Sequence, residues 1–233
     1  MWLSLTAAAA PPSVRPELVT TAPIDVGVGV LSEFGPRLRV ATQVGLLPDP
    51  YLDGIEAGIG ALDPTWTDSE SELVDAALDG SVVWRTEAGW RFAPGLGLYL
   101  HGAYTFAGLG GSATAQEIVE GLGGVEIPTG GGPLGFDPDP VEFDATAALH
   151  LVGAELGWDQ RLWRQLHLRV GVGWSFTVGS STTIAPAFEP NPLAAAAWDA
   201  AGEAAADSLD GLFRGYAHPP TVTVAAGWSF SGR

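Results

Sequence analysis

The chain has 233 residues, a formal net charge of −17, and no cysteine or lysine. A chain of this length forms one domain or one barrel, and the absence of cysteine excludes a disulfide scaffold and a thiolate metal site or nucleophile. Of its 27 acidic residues, 21 lie in residues 47–80, 107–144 and 179–219; such segments repel nucleic acid, and we expect no nucleic-acid partner.

The first ten residues resemble the end of a secretory signal sequence. A short apolar run is followed by alanines of the type found at cleavage sites, although the positively charged start of such a signal is missing. We expect residues 1–12 to be a signal-like or disordered segment and residues 13–233 to form a single β-barrel domain. No stretch approaches 18 consecutive apolar residues, so the sequence offers no candidate transmembrane helix.

Eight segments show the alternation of β-strands, in which successive side chains point to opposite faces. The clearest is 166–178, where Leu, Val, Trp and Phe alternate with Gly, Ser, Thr, His and Arg. The first segment is the weakest, because Pro16 cannot donate a ladder hydrogen bond. In chain order the predicted strands cover residues 14–21, 24–33, 37–46, 82–91, 96–106, 145–158, 166–178 and 221–230.

The connections alternate between short turns and long segments from the third strand onward. The long segments contain predicted helices at residues 68–78, 113–122 and 193–213. Outer-membrane barrels have short periplasmic turns and long extracellular loops. We therefore predict an all-β fold, an eight-stranded antiparallel up-and-down transmembrane β-barrel of the bacterial outer membrane, with both termini in the periplasm and long extracellular loops containing short helices.

The composition of the strand faces favours a membrane barrel over a soluble one. A soluble barrel would expose its polar face to water, yet here that face is dominated by Gly and Ala, and glycine weakens an exposed strand without a gain in packing. Inside an eight-stranded barrel, small residues leave room for a few large ones. Aromatic residues near the strand ends match the two girdles of a membrane barrel: Trp84, Trp90, Tyr104, Phe106, Trp158, Trp174, Phe176, Trp228 and Phe230.

Two sequence resemblances point the same way. The last predicted strand ends in Trp228-Ser229-Phe230, which resembles the C-terminal assembly signal of outer-membrane barrels, although residues 231–233 follow the aromatic residue. The segments 47–51, 81–85 and 88–91 are similar to uncharacterised small barrels of myxobacteria-like Gram-negative bacteria. These resemblances imply a barrel fold and an outer-membrane location, but no known activity. We expect the lipid bilayer of the outer membrane and the barrel-assembly machinery as partners.

The polar face carries charges that would be costly in a dry lumen unless they are paired. Arg85 and Glu87 lie two residues apart on one predicted strand, and Glu155 and Arg169 face inward on neighbouring strands. We predict a salt-bridge network that plugs the barrel; the alternative is an arginine-lined constriction that selects small anions. The network comprises Arg39, Arg85, Glu87, Arg91, Glu155 and Arg169, and Asp25, Arg37, His101 and His167 share its face.

The sequence gives no positive sign of catalysis. It contains no HExxH, CxxC or Walker-type motif, and we expect no enzyme activity, cofactor or metal. His150 falls on the lipid-facing side, where some barrel enzymes that act on lipids carry a histidine and a serine, but no same-face serine is apparent on the next strand. The favoured function is a monomeric, non-enzymatic anchor or surface scaffold with acidic extracellular loops. The alternatives are a narrow pore for small solutes and, less favoured, a rim-located lipid-modifying enzyme.

Overall fold

The barrel is closed and follows the chain order. The computed structural model describes residues 12–48, 81–114, 142–188, 195–216 and 218–230, together with residues 50, 51, 53, 54 and 57. Eight antiparallel strands pair in sequence, and the first pairs with the last. The elements are β1 (Ser13–Ala22), β2 (Asp25–Phe34), β3 (Leu38–Leu46), β4 (Val82–Ala93), β5 (Leu98–Thr114), β6 (Glu142–Arg161), β7 (Leu166–Pro186), helix α1 (Ala195–Tyr216) and β8 (Pro220–Trp228).

This topology confirms the predicted eight-stranded antiparallel up-and-down barrel. The β1–β2 turn and the C-terminal ends of β3, β5 and β7 lie at one end, here named the loop end. The short turns at residues 35–37, 94–97 and 162–165 lie at the opposite end, here named the turn end. Pro16 is tolerated within β1 because the pairing of β1 with β8 begins only at Glu17. No ladder hydrogen bond is required on the β8 side of Pro16, which is therefore an edge position.

Several strand ends differ from the prediction. Ile24, predicted as the first residue of the second strand, lies instead in the β1–β2 turn and is buried. Arg37 and Leu96 lie in turns and are exposed, while residues 159–161, predicted as a turn, continue β6. The alternation rule holds only where a backbone is extended, so it misassigns side chains at turns.

Three strands are much longer than predicted. β5, β6 and β7 have 17, 20 and 21 residues, whereas β4 pairs with β5 only up to Gly108 and β8 with β7 only up to Trp174. Residues 113–114, predicted to begin a helix, therefore belong to β5, and residues 179–186, predicted as loop, belong to β7. The projecting sheet formed by residues 109–114, 142–148 and 179–186 is named the extension.

The two faces of β6 exchange character where the extension begins. Below it, the inward positions include Glu155 and Asp159, and the outward positions 152, 154, 156 and 158 are apolar. Within the extension, the inward Phe143 and Ala145 are buried, and the outward Asp144 and Thr146 are exposed. The extension therefore presents polar side chains to its surroundings and an apolar face towards the barrel axis.

Helix α1 covers the inner face of the extension. Its buried Ala205, Leu209 and Phe213 recur every four residues and form one apolar stripe. Thr182 of β7 donates a hydrogen bond to Oδ1 of Asp210 at 2.7 Å, which ties the helix to the sheet.

The outcome for the three predicted helices follows from these ranges. The helix predicted at residues 193–213 is present as α1, whose described part begins at Ala195 and ends at Tyr216. The predicted helix at 68–78, residues 115–122 and the signal-like residues 1–11 lie outside the described residues. Within the described part of the chain, no helix has the length and apolarity needed to cross a membrane.

Candidate functional site

The outer surface of the barrel is an apolar band. On it, Leu100, Leu156 and Val172 are 52%, 51% and 58% exposed, and they lie on consecutive strands β5, β6 and β7. Soluble monomers expose large apolar side chains singly or in small patches. A continuous band around a closed barrel is what a lipid-facing surface requires.

The predicted girdle residues fall into two groups along the barrel axis. Trp84, Tyr104, Phe106, Trp174 and Phe176 lie towards the loop end, and Trp84 meets Tyr104 edge to face with ring centroids 6.1 Å apart. Trp90, Trp158, Trp228 and Phe230 lie towards the turn end. Tryptophan and tyrosine suit the two interfaces of a membrane because one part of each ring system is apolar and another can hydrogen-bond to water.

The interior holds a connected network of charges. Among the described residues it comprises five arginines and five carboxylates, joined by contacts of up to 3.5 Å. Each charge of the network has at least one partner of opposite sign, which offsets the cost that an unpaired buried ion would carry. The members, here named the lumen network, are Arg15, Glu17, Glu33, Arg39, Arg85, Glu87, Arg91, Glu155, Asp159 and Arg169.

Arg169 is the centre of the lumen network. Its Nη1 donates to Glu87 at 2.8 Å and to Glu155 at 3.4 Å, and its Nη2 donates to Glu17 at 3.1 Å. Arg85 completes this layer, because its Nε donates to Glu87 at 2.7 Å and its Nη2 to Glu155 at 3.3 Å. The predicted Glu155 and Arg169 contact therefore forms, but the shorter bonds of Arg169 go to other carboxylates.

Asp159 is the second centre, nearer the turn end. Its Oδ2 accepts from Arg15 at 2.8 Å, from Arg91 at 3.2 Å and from Arg39. Glu33 contributes from the edge of this layer, accepting from Arg91 at 2.7 Å. Three guanidinium groups around one carboxylate bind together strands that lie on different sides of the barrel.

Hydroxyl and imidazole groups complete the central layer. Tyr99 donates to Oε1 of Glu155 at 2.7 Å, and Thr223 donates to Oε2 of the same residue at 2.5 Å. Nδ1 of His101 donates to Glu87 at 3.0 Å, and the His101 ring lies against Tyr99 with centroids 4.3 Å apart. Buried charges with this many partners fix one arrangement of the lumen.

Glycines on the inner face make room for these side chains. A Cβ at Gly157 would collide with the ring of Tyr99, and a Cβ at Gly171 would come within 2.5 Å of Oε1 of Glu155. Because an eight-stranded barrel is only just wide enough for side chains, the large residues of one strand require small residues on its neighbours. This explains the abundance of glycine on the polar face.

All six charges predicted for the lumen belong to the network. Arg39, Arg85, Glu87, Glu155 and Arg169 are about 1% exposed, and Arg91 is partly exposed near the turn end. Arg37, grouped with them from the sequence, lies instead in the β2–β3 turn, over the ring of Trp90. Asp25 lies apart in the lumen, where it accepts two hydrogen bonds from Gln43.

Four members of the network were not predicted from the sequence. Arg15 and Glu17 lie on β1, whose alternation is interrupted by Pro16, and Glu33 lies near the end of β2. Asp159 was assigned to a turn. The signal for Asp159 was present, since it continues the inward positions 155 and 157 of β6 by one further step of two.

An apolar cluster occupies the lumen at the loop end. It draws side chains from the β1–β2 turn, from four strands and from α1, so it reaches across the barrel rather than lining one wall. We name this cluster the apolar cap. Its buried members are Ile24, Val83, Ala107, Leu109, Phe143, Ala145, Ala147, Leu149, Leu151, Ile184, Ala205, Leu209 and Phe213.

Glu87, His101 and Glu155 have the residue types of a metal site. One ligand atom from each lies within 4.8 Å of the others. The same carboxylates already bind Arg85 and Arg169, and a divalent ion would place its charge beside two buried guanidinium groups. The arginines neutralise these carboxylates, and the arrangement does not suit a metal.

His150 lies on the outer face near the loop end. Its Nδ1 is 2.7 Å from the hydroxyl oxygen of Tyr104, and its ring lies 5.4 Å from that of Phe106. Gly179 is opposite it on β7. Within the described residues His150 is bonded to a tyrosine rather than to a serine nucleophile.

Comparison with known proteins gives a limited likeness. No family model and no curated protein matches the chain. Among solved structures, the crystal structure of CarO2 from Acinetobacter baumannii is 14% identical, with a TM-score of 0.39, covering 95% of this chain and 99% of that chain. The crystal structure of CarO from the same organism is 12% identical, with a TM-score of 0.37 and coverages of 94% and 97%.

Proposed function

We propose that this protein is an outer-membrane β-barrel that serves as a non-enzymatic anchor for a surface-exposed structure. The observation that carries the proposal is the inverted burial of the strands, with charged side chains in the lumen and an apolar band outside. Water would solvate the charges and exclude the apolar side chains, whereas lipid favours the observed arrangement.

The contents of the lumen support an anchor rather than a pore. The lumen network crosses the barrel between β1, β4, β6 and β7 through Arg169 and Arg85. The apolar cap crosses it again at the loop end. A solute would have to break buried ion pairs and then cross a dry apolar layer, and each of these steps is costly.

The loop end is the part that such an anchor displays. It carries the extension and α1, and the strands that end there are joined in the sequence by the three acidic segments that hold 21 of the 27 acidic residues. The extension has polar outward side chains such as Asp144 and Thr183, which suit water beyond the membrane surface. We therefore assign the loop end to the cell exterior and the turn end to the periplasm.

The proposal includes the partners of the chain. The lipid bilayer covers the apolar band, and the barrel-assembly machinery inserts the barrel, as it does for outer-membrane barrels in general. A closed barrel leaves no open strand edge at membrane depth with which a second copy could pair, and this favours a monomer.

Single cysteines can test this orientation without interference, because the chain has no native cysteine. Asp207→Cys lies on the exposed face of α1, and Arg164→Cys lies in the exposed β6–β7 turn. In bacteria that export the protein, a membrane-impermeant maleimide should label Asp207→Cys in intact cells and Arg164→Cys only after permeabilisation. Recovery of the unmodified protein in the soluble fraction without detergent, or the reverse labelling pattern, would refute the proposal.

A further inference from the structure

A groove at the turn end has features that the barrel itself does not require. It is lined by Trp163, Arg164, Gln165, Leu166 and Trp228, which belong to the β6–β7 turn and the adjoining ends of β7 and β8. Its floor is held by the backbone, because the N–H of Ser229 donates to the carbonyl of Gln165 at 2.8 Å. The groove opens on the outer surface of the barrel.

Trp163 is the most exposed tryptophan described. Its side chain is 76% exposed at the tip of a four-residue turn, while Trp228 on the facing strand is 46% exposed. The turn is tight, since the N–H groups of Leu162 and Trp163 both donate to the carbonyl of Leu166. A tryptophan held outward in this way contributes little to the fold and offers a large amphipathic surface to a ligand.

The charge beside the tryptophans is positive. At the turn end, the exposed charged side chains of the described residues are all arginines, namely Arg37, Arg161 and Arg164. Arg37 stacks over Trp90 with its guanidinium carbon 5.8 Å from the ring centre. The described residues give Arg164 no carboxylate partner, so its charge is available to an anion at the groove.

We propose that this groove binds an anionic phospholipid of the periplasmic leaflet, with the phosphate at Arg164 and the upper acyl chains against Trp163 and Trp228. The inference rests on the proposed membrane location, and it adds a lipid of defined charge to it. The groove offers a binding group for each part of such a lipid. A guanidinium binds the phosphate oxygens, and tryptophan rings lie at the level of lipid headgroups, where they contact the upper acyl chains. The acidic loop end has no comparable basic and aromatic groove among the described residues.

The test uses the purified barrel, folded in detergent and given an equimolar mixture of phosphatidylglycerol and phosphatidylcholine. Native mass spectrometry then counts the lipids retained by each variant. One basic residue near an anionic lipid contributes about 1 kcal/mol, so the unmodified barrel should retain about fivefold more phosphatidylglycerol than phosphatidylcholine. Arg164→Gln should abolish the preference. The matched control Arg214→Gln, which removes an exposed arginine at the loop end, should keep it.

A second variant tests the aromatic wall. Trp163→Ala should lower the amount of phosphatidylglycerol retained, and unchanged retention would contradict the groove. The inference is also overturned if the unmodified barrel shows no preference, or if Arg164→Gln keeps it.

Insertion of the same samples into phosphatidylcholine vesicles separates this inference from the proposed function. A barrel that inserts and shows no lipid preference refutes the groove alone. A barrel that does not insert refutes the membrane location.

Discussion

The lumen network predicts an unequal response to the loss of its central charges. Arg169 bonds to Glu87 at 2.8 Å, to Glu17 at 3.1 Å and to Glu155 at 3.4 Å. Arg169→Met leaves these three carboxylates with one cation fewer, and breaking one side of a buried ion pair costs about 3–5 kcal/mol. Glu155→Gln should cost only about 1–2 kcal/mol, because the contacts of Glu155 with arginine are long. The amide oxygen can still accept from either Tyr99 or Thr223, and the amide nitrogen can donate to the hydroxyl oxygen of the other.

Double-mutant cycles convert these distances into coupling energies. The coupling between Arg169 and Glu87 should be about 2–3 kcal/mol, while that between Arg169 and Glu155 should stay below about 1 kcal/mol. The free energy of unfolding can be measured by urea titration of the barrel in lipid vesicles, followed by tryptophan fluorescence. Glu87→Gln and Glu155→Gln serve as matched controls for each other, since each replaces a buried carboxylate of the same layer by an amide.

Two results would refute this reasoning. If both couplings are equal, the geometry of the central layer is wrong. If every single substitution costs less than about 1 kcal/mol, the charges are solvated by water as in an open pore, and the lumen is not plugged.

Three further predictions concern the outer band, the packing of the lumen and α1. Val172→Arg should cost about 2–4 kcal/mol in the same urea titration, because it puts a charge among the lipid chains. Gly157→Ala should cost about 1–3 kcal/mol, since the added methyl group collides with a buried ring. Asp210→Ala should lower the free energy of local opening of α1 by about 1 kcal/mol, because the hydrogen bond from Thr182 is lost. Hydrogen exchange of residues 195–216 should then be faster, while the barrel strands keep their protection.

Each of these predictions has a control within the chain. Thr183→Arg lies on the outer face of the same strand as Val172 but within the extension, and it should be nearly silent. Gly102→Ala should also be nearly silent, because the nearest atom to its added Cβ is 3.9 Å away. Equal losses of stability for Val172→Arg and Thr183→Arg would contradict the assigned membrane boundary. Equal losses for Gly157→Ala and Gly102→Ala would contradict the lumen packing. Unchanged hydrogen exchange in α1 would contradict its hydrogen bond to β7.

The sequence was sufficient for the architecture, because the contrast between the two faces is strong at membrane depth. On β7, Val172 and Trp174 alternate with Gly171 and Gly173, and the strand was predicted to begin at Leu166, where it begins. The extension could not be predicted in this way. Its outer face is polar and its inner face packs on α1, so the sense of the alternation reverses and the apolar signal of a lipid-facing strand disappears.

The lumen network could be predicted only in part. Alternation assigns a charge to the inner face of its own strand, and this identified Arg39, Arg85 and Arg169. It does not give the stagger between strands, which decides that Arg169 lies nearer to Glu87 of β4 than to Glu155 of the adjacent β6. The position of the apolar cap depends on how α1 folds back into the barrel mouth, and no local pattern encodes that contact.

Ion flux across vesicles containing the folded barrel tests the central claim most directly. The protein would be folded into phosphatidylcholine vesicles loaded with a chloride-sensitive dye, and insertion would be verified by different gel migration of boiled and unboiled samples. A barrel that presents its apolar band to lipid and fills its lumen with paired charges should insert and leave the flux equal to that of empty vesicles. A steady flux that rises in proportion to the amount of inserted barrel would contradict the account.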